Sequence, residues 1–200
     1  MDGIAWAASA MAAARTRLDV ATHNLANVSS GGFRGSQARG FLTALGVRIA
    51  VVPSPLRGSP VRTGRGLDVA IVGDGAFLVR DGEGRVAQTR DGAFVRQADG
   101  TLQDERGRTL LGARGPVRFP EGASFEPDGA IRAGGREIAR VALPPGSTLR
   151  AGYLESSGVD AIAEMIDVTT AQRSFESAQK VVSAIDGARQ KAANDVARVR

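Results

Sequence analysis

Cysteine is missing from this chain of 200 residues, and histidine, tryptophan and tyrosine occur once each. Without cysteine, neither a disulfide nor a thiolate metal site can form. His23 stands alone in a segment of helical periodicity, so the common histidine zinc sites are not expected and we interpret it as a structural residue. The sequence therefore predicts no metal and no cofactor.

Motifs of the common enzyme classes are also missing. The chain contains no G-x-S-x-G nucleophile turn, no phosphate-binding P-loop and no G-x-G-x-x-G dinucleotide loop. Several aspartates precede glycine, but none follows the D-x-D-x-D-G register of a calcium loop, so turns explain them. Spacing alone leaves a carboxylate pair for glycoside hydrolysis open, although 4% aromatic content supplies little surface for sugar stacking. We predict that the chain is not an enzyme and has no catalytic residue.

Long apolar runs and clustered basic charge are lacking too. No run of 18 apolar residues occurs, so no direct membrane insertion is predicted. The net charge is +5, but the arginines are scattered and no aromatic residues lie between them, which does not favour a nucleic-acid partner. The apolar segment Ile4–Ala14 follows Asp2 and precedes Arg15, a charge order opposite to that of a cleaved signal peptide.

The proline distribution divides the chain into three parts. All eight prolines lie between Pro53 and Pro145, and glycine is also densest there. Because both residues interrupt helices, the ends favour long helices and the middle favours turns. The predicted organisation is a terminal helical domain (1–30 with 158–200), a linker (31–66) and a β-rich outer domain (67–157).

Both ends show a heptad pattern of apolar residues, which is typical of helices that pair as a coiled coil. The residues that we predict to pack in this seam are Ile4, Met11, Leu18, Leu25 and Val28 at the N-terminal end, and Val168, Phe175, Val182 and Ile185 at the C-terminal end. The second seam position is mostly alanine, which buries little surface. The pattern leaves open whether the helices form a hairpin within one chain or become stable only when several chains pack together.

The middle of the chain alternates short apolar segments with Asp-Gly pairs, as at Asp81-Gly82, Asp91-Gly92 and Asp128-Gly129. Asp-Gly between short apolar runs is a strong hairpin signal. We therefore predict several short antiparallel strands between residues 67 and 141. The fold class is α+β, with long N- and C-terminal helices flanking a small, mainly antiparallel β domain.

Four separated stretches in this order resemble the signatures of the flagellar basal-body rod and hook protein family. They are LDVATHNLANVSSGGFR (18–34), LDVAIVGDGAFLV (67–79), TRDGAF (89–94) and GYLESSGVD (152–160), the last followed by AQRSFE (171–176). The matching residues are Asn24, Leu25, Ala26, Asn27, Gly32, Phe33, Leu67, Asp68, Gly73, Asp74, Gly75, Thr89, Arg90, Asp91, Gly92, Leu154, Glu155, Gln172 and Arg173. The chain departs from the family pattern at His23, Ala76 and Gly158.

This resemblance implies a structural role in motility. Family members are noncatalytic axial proteins whose terminal helices form an inner coiled-coil layer around a channel, with the β domain outside. It implies a helical polymer of the chain itself, contacts with other rod and hook proteins, with basal-body ring proteins and with the type III export apparatus. It also implies a location in the periplasm-spanning basal body, reached without a cleaved signal. The length favours a rod subunit over a hook-type axial subunit. A periplasmic β-domain binding protein is a further alternative.

Overall fold

The computed structural model of the chain describes residues 3–43 and 46–198, and the ends of the predicted helical domain, residues 1–2 and 199–200, lie outside this described part. The chain folds as two compact units. The helical unit comprises the described residues of 1–28, 35–55 and 159–200, and the β unit comprises 29–34 and 56–158. Helices at both ends and antiparallel sheets between them confirm the α+β class.

Two long helices belong to the helical unit: α1 spans Gly3–Ala26 and α2 spans Ala161–Arg198. Asp160 caps the start of α2, because its carboxylate accepts the backbone N–H of Ile162 at 2.9 Å. At the end of α1 the backbone N–H of Asn27 turns back to the carbonyl of Asn24 at 3.0 Å. Both helices therefore lie where the proline-free ends of the sequence predict them.

A β-hairpin accompanies these helices. Strand β1 (Ser36–Thr43) pairs antiparallel with β2 (Gly46–Pro53). The hydroxyl of Ser9 on α1 accepts the backbone N–H of Val47 at 3.2 Å, which fixes β2 to the helix. This hairpin differs from the linker predicted over residues 31–66.

The sequence analysis did not predict this hairpin, because only one of its two strands shows an alternation of apolar residues. Val47, Ile49 and Val51 alternate with Arg48 and Ala50, so one strand has the alternation of a half-buried sheet. The partner strand contains glycine, glutamine and arginine instead, and its pairing depends on the register rather than on its own composition.

The β unit contains thirteen short strands within the described residues, and every pairing among them is antiparallel. The strands are β3 (Pro60–Arg62), β4 (Val69–Val72), β5 (Phe77–Arg80), β6 (Val86–Thr89), β7 (Val95–Arg96), β8 (Leu102–Gln103), β9 (Thr109–Gly112), β10 (Gly115–Pro116), β11 (Ser124–Phe125), β12 (Ala130–Ala133), β13 (Arg136–Arg140), β14 (Thr148–Ala151) and β15 (Tyr153–Glu155). The largest sheet has the order β6-β5-β9-β8-β7, with β10 beside β9. Strands β11-β12-β13 form a second sheet, and β14 pairs with β4 and β15 with β3.

One aliphatic core with a few phenylalanines joins these sheets. Phe77 and Phe94 pack edge to face, with ring centroids 5.4 Å apart. The other large side chains that are almost completely buried in this core are Ile71, Leu102, Leu110, Ile131, Val69, Val79 and Val117. Burying each such side chain stabilises the unit by about 1.5–3 kcal/mol, so this core provides most of the stability of the β unit.

In the Asp-x-x-Gly turns between the strands, the aspartate carboxylates accept hydrogen bonds from backbone N–H groups of the same turn. One oxygen of Asp81 accepts the backbone N–H groups of Glu83 and Arg85, at 3.0 and 2.9 Å. Asp104 repeats this arrangement with Arg106 and Arg108. These aspartates thus act as turn caps.

We expect Gly92→Ala to destabilise the β unit by several kcal/mol. A Cβ added at Gly92 would lie 1.7 Å from the carbonyl oxygen of Val69, so strand β4 would have to move. Gly82→Ala is the matched control, since nothing lies within 4 Å of its added Cβ and its effect should stay within about 0.5 kcal/mol. Urea unfolding followed by circular dichroism measures both, and equal stability of the two variants would contradict the close approach.

Candidate functional site

Most residues of the family signatures in the β unit meet around one largely buried side chain, Arg90, which directly follows β6. Its Nε donates to Glu155 Oε2 at 2.6 Å, and the two side chains are only 15% and 4% exposed. Its terminal nitrogens donate to the carbonyls of Gly75 at 2.6 Å and Ile71 at 2.8 Å, and both reach Gly73 at 3.2 Å. We call Arg90, Glu155 and these three carbonyls the arginine cluster.

Arginine suits this position because its planar guanidinium offers five donors in a fixed fork. Two of the three carbonyl acceptors belong to the turn Gly73-Asp74-Gly75, in which both glycines have positive φ, 103° and 108°. That backbone conformation is rarely adopted by residues with a Cβ. Asp74 points outward instead and forms an exposed ion pair with Arg57 at 2.9 Å. The G-D-G signature therefore shapes a carbonyl cradle for Arg90.

The end of the first signature stretch closes on the same cluster. The backbone N–H of Gly32 donates to the carbonyl of Glu155 at 2.8 Å. A Cβ at Gly32, where φ is +61°, would lie 2.5 Å from the carbonyl carbon of Arg90, so only glycine fits. The carbonyl of the next residue, Phe33, accepts the N–H of Gly158 at 2.9 Å. Two stretches far apart in sequence are thus joined by backbone hydrogen bonds, and the backbone of Arg90 packs closely against the first of them.

Two further signature carboxylates hold the strands around the cluster. Asp68 is buried and accepts the hydroxyl of Thr63 at 2.6 Å and Nε of Arg65 at 2.8 Å. Asp91 accepts the backbone N–H of Ala93 at 3.1 Å, and burial raises the pKa of its carboxyl group. The hydroxyl of Thr89, another signature residue, accepts the backbone N–H of Asp91 at 3.1 Å. The signature residues Leu67 and Leu154 are half-buried.

The polar groups of the arginine cluster are thus all used within the fold. Among residues 3–43 and 46–194, whose side chains the structure describes, no buried side-chain nitrogen or oxygen is left without a hydrogen-bond partner. In the same residues no group of three histidine or carboxylate side chains is placed to share a metal ion. The arrangement acts as a clamp on the backbone.

The helical unit contains a second polar contact, made by Asn24. This side chain is 1% exposed. Its amide oxygen accepts the N–H of Ser36 at 2.9 Å, and its amide nitrogen donates to the Ser36 carbonyl and to Glu164 Oε1, both at 2.8 Å. One amide therefore links α1, β1 and α2, which gives the N-L-A-N signature its physical role.

Sequence reasoning missed the pairing of Glu164 with Asn24. The two residues lie 140 positions apart, and no local pattern links them. Burial raises the pKa of Glu164, the hydrogen bond from Asn24 lowers it, and the nearby charges of Asp167 and Asp160 raise it further. The net direction is upward, so the helical unit favours the protonated carboxyl group.

The two helices contact each other and run antiparallel. Asn24 of α1 contacts Glu164 of α2, and a Cβ at Gly3 would lie 3.4 Å from Cδ1 of Ile185. These two contacts are separated by the same number of residues on both helices. Most of the buried residues between them are small, among them Ala7, Ala14, Ala21, Ala171 and Ala178.

The large residues predicted for the seam lie beside these alanines. Ile4, Met11, Leu18, Leu25, Val168, Phe175, Val182 and Ile185 are half-buried, and Val28 is 36% exposed. Their role in assembly stays a prediction. The last signature residues, Gln172 and Arg173, are exposed on α2, as is Ala26 at the end of α1, while Asn27 donates to the carbonyl of His23 at 2.9 Å.

Neither α1 nor α2, over the residues that the structure describes, is long and apolar enough to cross a bilayer.

Three protein families match successive parts of the chain. Residues 4–34 match the family described as "Flagella basal body rod protein", residues 70–135 match "Flagellar hook protein FlgE/F/G D1 domain", and residues 150–195 match "Flagellar basal body rod FlgEFG protein C-terminal". The first matched segment contains most of α1, the second lies in the β unit, and the third contains most of α2.

Similar proteins extend over almost the whole chain. The flagellar basal-body rod protein FlgF of Rhizobium meliloti is 30% identical, over 95% of this chain and 95% of its own length. FlgF of Escherichia coli is 30% identical over 89% and 92%, and the rod protein FlgG of Agrobacterium fabrum 27% identical over 93% and 96%. The flagellar hook protein FlgE of Salmonella typhimurium is 36% identical, but over 60% of this chain and only 32% of its own length.

Removing the guanidinium of the arginine cluster should cost much of the stability of the β unit. In Arg90→Ala the buried carboxylate of Glu155 and three carbonyls lose their donor, and breaking a buried ion pair in this way costs about 3–5 kcal/mol. Arg85→Ala is the control, because it removes an exposed ion pair with Asp81 worth at most about 1 kcal/mol. Urea unfolding compares the two, and a cost of Arg90→Ala no larger than that of Arg85→Ala would refute the clamp.

Glu164 should make the helical unit less stable as pH rises. The folded pKa lies above the ordinary value of 4.5, so the contribution is complete below pH 4.5 and is lost as pH rises through the folded pKa. Glu164→Gln should therefore gain stability over the unsubstituted chain between about pH 4 and 7. The only tryptophan, Trp6 on α1, reports unfolding of this unit by fluorescence. Glu176→Gln, at an exposed position of α2, controls for loss of a charge, and a gain independent of pH would contradict the assignment.

Proposed function

Since this chain belongs to the flagellar basal-body rod protein family and is a structural subunit of the rod, we propose that it works mechanically, as one copy in a hollow helical polymer. Such a polymer forms the drive shaft that transmits torque from motor to hook and leaves a channel for export. The proposed role needs no catalysis, and the polar side chains of the arginine cluster and the Asn24 contact are all used to hold the fold.

The observation that carries the assembly proposal is a second apolar face on α2. Ile162, Met165 and Ile166 are 72%, 56% and 60% exposed, although the opposite face of the helix already packs on α1. Exposed apolar patches of this kind mark interaction sites. A neighbouring copy would remove this surface from water.

We propose that α1 and α2 pair as a coiled coil and form the inner layer of the shaft. The half-buried and buried positions of α2 from Ala161 to Ile185 recur at alternating spacings of three and four residues, the period of a coiled-coil seam. An open groove of about 700 Å³ runs along both helices and is lined mainly by small residues such as Ala10 and Ser174. Small side chains let helix backbones approach closely, which supports packing of a further helix in this groove.

The domain arrangement is proposed on the same basis. Residues 1–30 and 158–200 form the inner helical domain, and the β-rich residues 67–157 form the outer face that braces neighbouring copies. The hairpin of β1 and β2 packs on α1 and is proposed to belong to the inner part.

The proposed partners are further copies of the chain, other rod and hook proteins, basal-body ring proteins and the flagellar export apparatus. The proposed location is the periplasm-spanning part of the basal body, reached by export without a cleaved signal peptide. The acidic residue before the first apolar segment and the arginine after it support this route. A hook-type subunit is not favoured, because the chain spans only about a third of the hook protein that it resembles.

Charges placed on the helix pair should block assembly. Phe175→Asp puts a carboxylate into the half-buried seam, where it would be desolvated without a partner. Val181→Asp places a charge in the open groove along the two helices, which Val181 lines. Because Val181 is exposed, this variant should fold normally. Both should abolish rod formation in electron micrographs of basal bodies and motility in soft agar.

The control for these variants is Gln179→Asp, which places the same charge at an exposed position of α2. It should leave assembly unchanged. Normal rods built by Val181→Asp, in a chain with the circular dichroism of the unsubstituted protein, would sink the proposed role of the groove.

A further inference from the structure

Two segments of the chain carry charge of opposite sign only. Residues 33–66 contain six arginines and no aspartate or glutamate. Residues 151–172 contain four carboxylates and no lysine or arginine. Two of the six arginines, Arg57 and Arg65, are ion-paired with aspartates outside the segment. Surfaces of opposite charge attract and orient each other when two molecules meet.

The basic segment presents an apolar ring between two arginines. A Cβ at Gly40 of β1 would lie 2.9 Å from Nη2 of Arg17, so this side of the hairpin faces α1. Because successive residues of a strand alternate between faces, Arg39 and Phe41 point to the opposite side. Arg48 of β2 is the register partner of Phe41 and shares that side. Phe41 is 51% exposed, and both arginines are exposed.

The acidic segment presents the matching chemistry on the first turns of α2. Ile162 and Ile166 lie one turn apart on one face, with Met165 and Asp167 next to them. All four side chains are exposed. Three of the four carboxylates of the segment already have partners inside the fold: Glu155 binds Arg90, Glu164 binds Asn24, and Asp160 caps the start of α2, where it stays exposed. The exposed negative charge of the segment is therefore concentrated near the apolar patch of α2.

We propose that the Arg39–Phe41–Arg48 face of one copy docks on the Ile162–Met165–Ile166–Asp167 patch of a second copy. Within one chain the two surfaces do not cover each other, since Phe41 and Ile162 remain exposed. The occupant is a second copy because it carries both the apolar surface and the opposite charge that the hairpin face needs. The proposal rests on the proposed function and names one subunit contact of the rod.

The geometry of this contact accounts for an open polymer. The two surfaces are different, so a copy that docks on one neighbour keeps its other surface for the next. Contacts of this head-to-tail kind build open helical filaments when the rotation between copies does not close a ring.

A charge swap tests the pairing. Arg48→Glu and Asp167→Arg each place like charges opposite each other, and each should raise the threshold concentration for assembly, measured by sedimentation, about tenfold. The two changes combined in one chain restore opposite charges and should return the threshold to that of the unsubstituted protein. Arg114→Glu, at an exposed turn of the β unit, makes the same change in net charge as Arg48→Glu and should have no effect.

Thiol cross-linking supplies a second readout, because the natural chain contains no cysteine. Phe41→Cys and Ile166→Cys are prepared separately, mixed, assembled and treated with a short bifunctional thiol reagent. The expected product joins residue 41 of one copy to residue 166 of another, identified by mass spectrometry of the cross-linked peptide. Val86→Cys, also exposed but in the β unit, replaces Phe41→Cys in the control and should give no such product with Ile166→Cys.

The outcomes separate this contact from the function on which it rests. If the unsubstituted chain polymerises but the double swap fails to recover assembly and no 41–166 product forms, the pairing is wrong and the rod function stands. If the single swaps leave self-assembly unchanged but weaken binding to another basal-body protein, that protein occupies the surface and the pairing is again wrong. If the unsubstituted chain does not assemble into any rod-like polymer, the proposed function itself fails.

Discussion

The β unit depends on one largely buried guanidinium, that of Arg90. Arg90 donates to the carboxylate of Glu155 and to three backbone carbonyls of the stretch 71–75, which lies far from Glu155 in the sequence. Removing either charged partner would leave the other desolvated and unpaired, which is costlier than losing an ordinary hydrogen bond. The glycines around it are there because a Cβ would fill the space that the backbone needs. Most family signatures of this unit can therefore be understood as parts of a single clamp.

The helical unit is organised differently, by small residues and one amide. Alanines at the contact between α1 and α2 let the helices approach closely, but each buries little surface. Asn24 fixes how the elements are aligned, because its amide can bond both Ser36 on β1 and Glu164 on α2 only when α1, β1 and α2 are in this arrangement. A buried polar contact of this kind fixes register more than it adds stability. The alignment of the two helices is thus well defined, but their contact contributes only modest stability. This is expected for helices that make further contacts in an assembly.

The exposed surfaces complete this account of a rod subunit. A globular protein that acts alone has little reason to keep Ile162, Ile166 and Phe41 in water. Here they lie on helix and hairpin surfaces that also carry charges of opposite sign, which combine apolar attraction with orientation. A shaft that bears torque needs many such contacts acting in parallel.

The sequence alone determined the two long helices, the antiparallel β middle and the family, since proline-free ends, heptad spacing, Asp-Gly turns and signature stretches are all local patterns. Only the tertiary structure decided what the signature residues do. Arg90 and Glu155 lie 65 residues apart and Asn24 and Glu164 140 residues apart, and no local period indicates such pairs. The hairpin at residues 36–53 also needed the structure, because one of its strands is apolar only in alternation with arginine and the other depends on its partner. Local periodicity specifies elements, whereas a buried charge acquires its partner only when the chain closes around it.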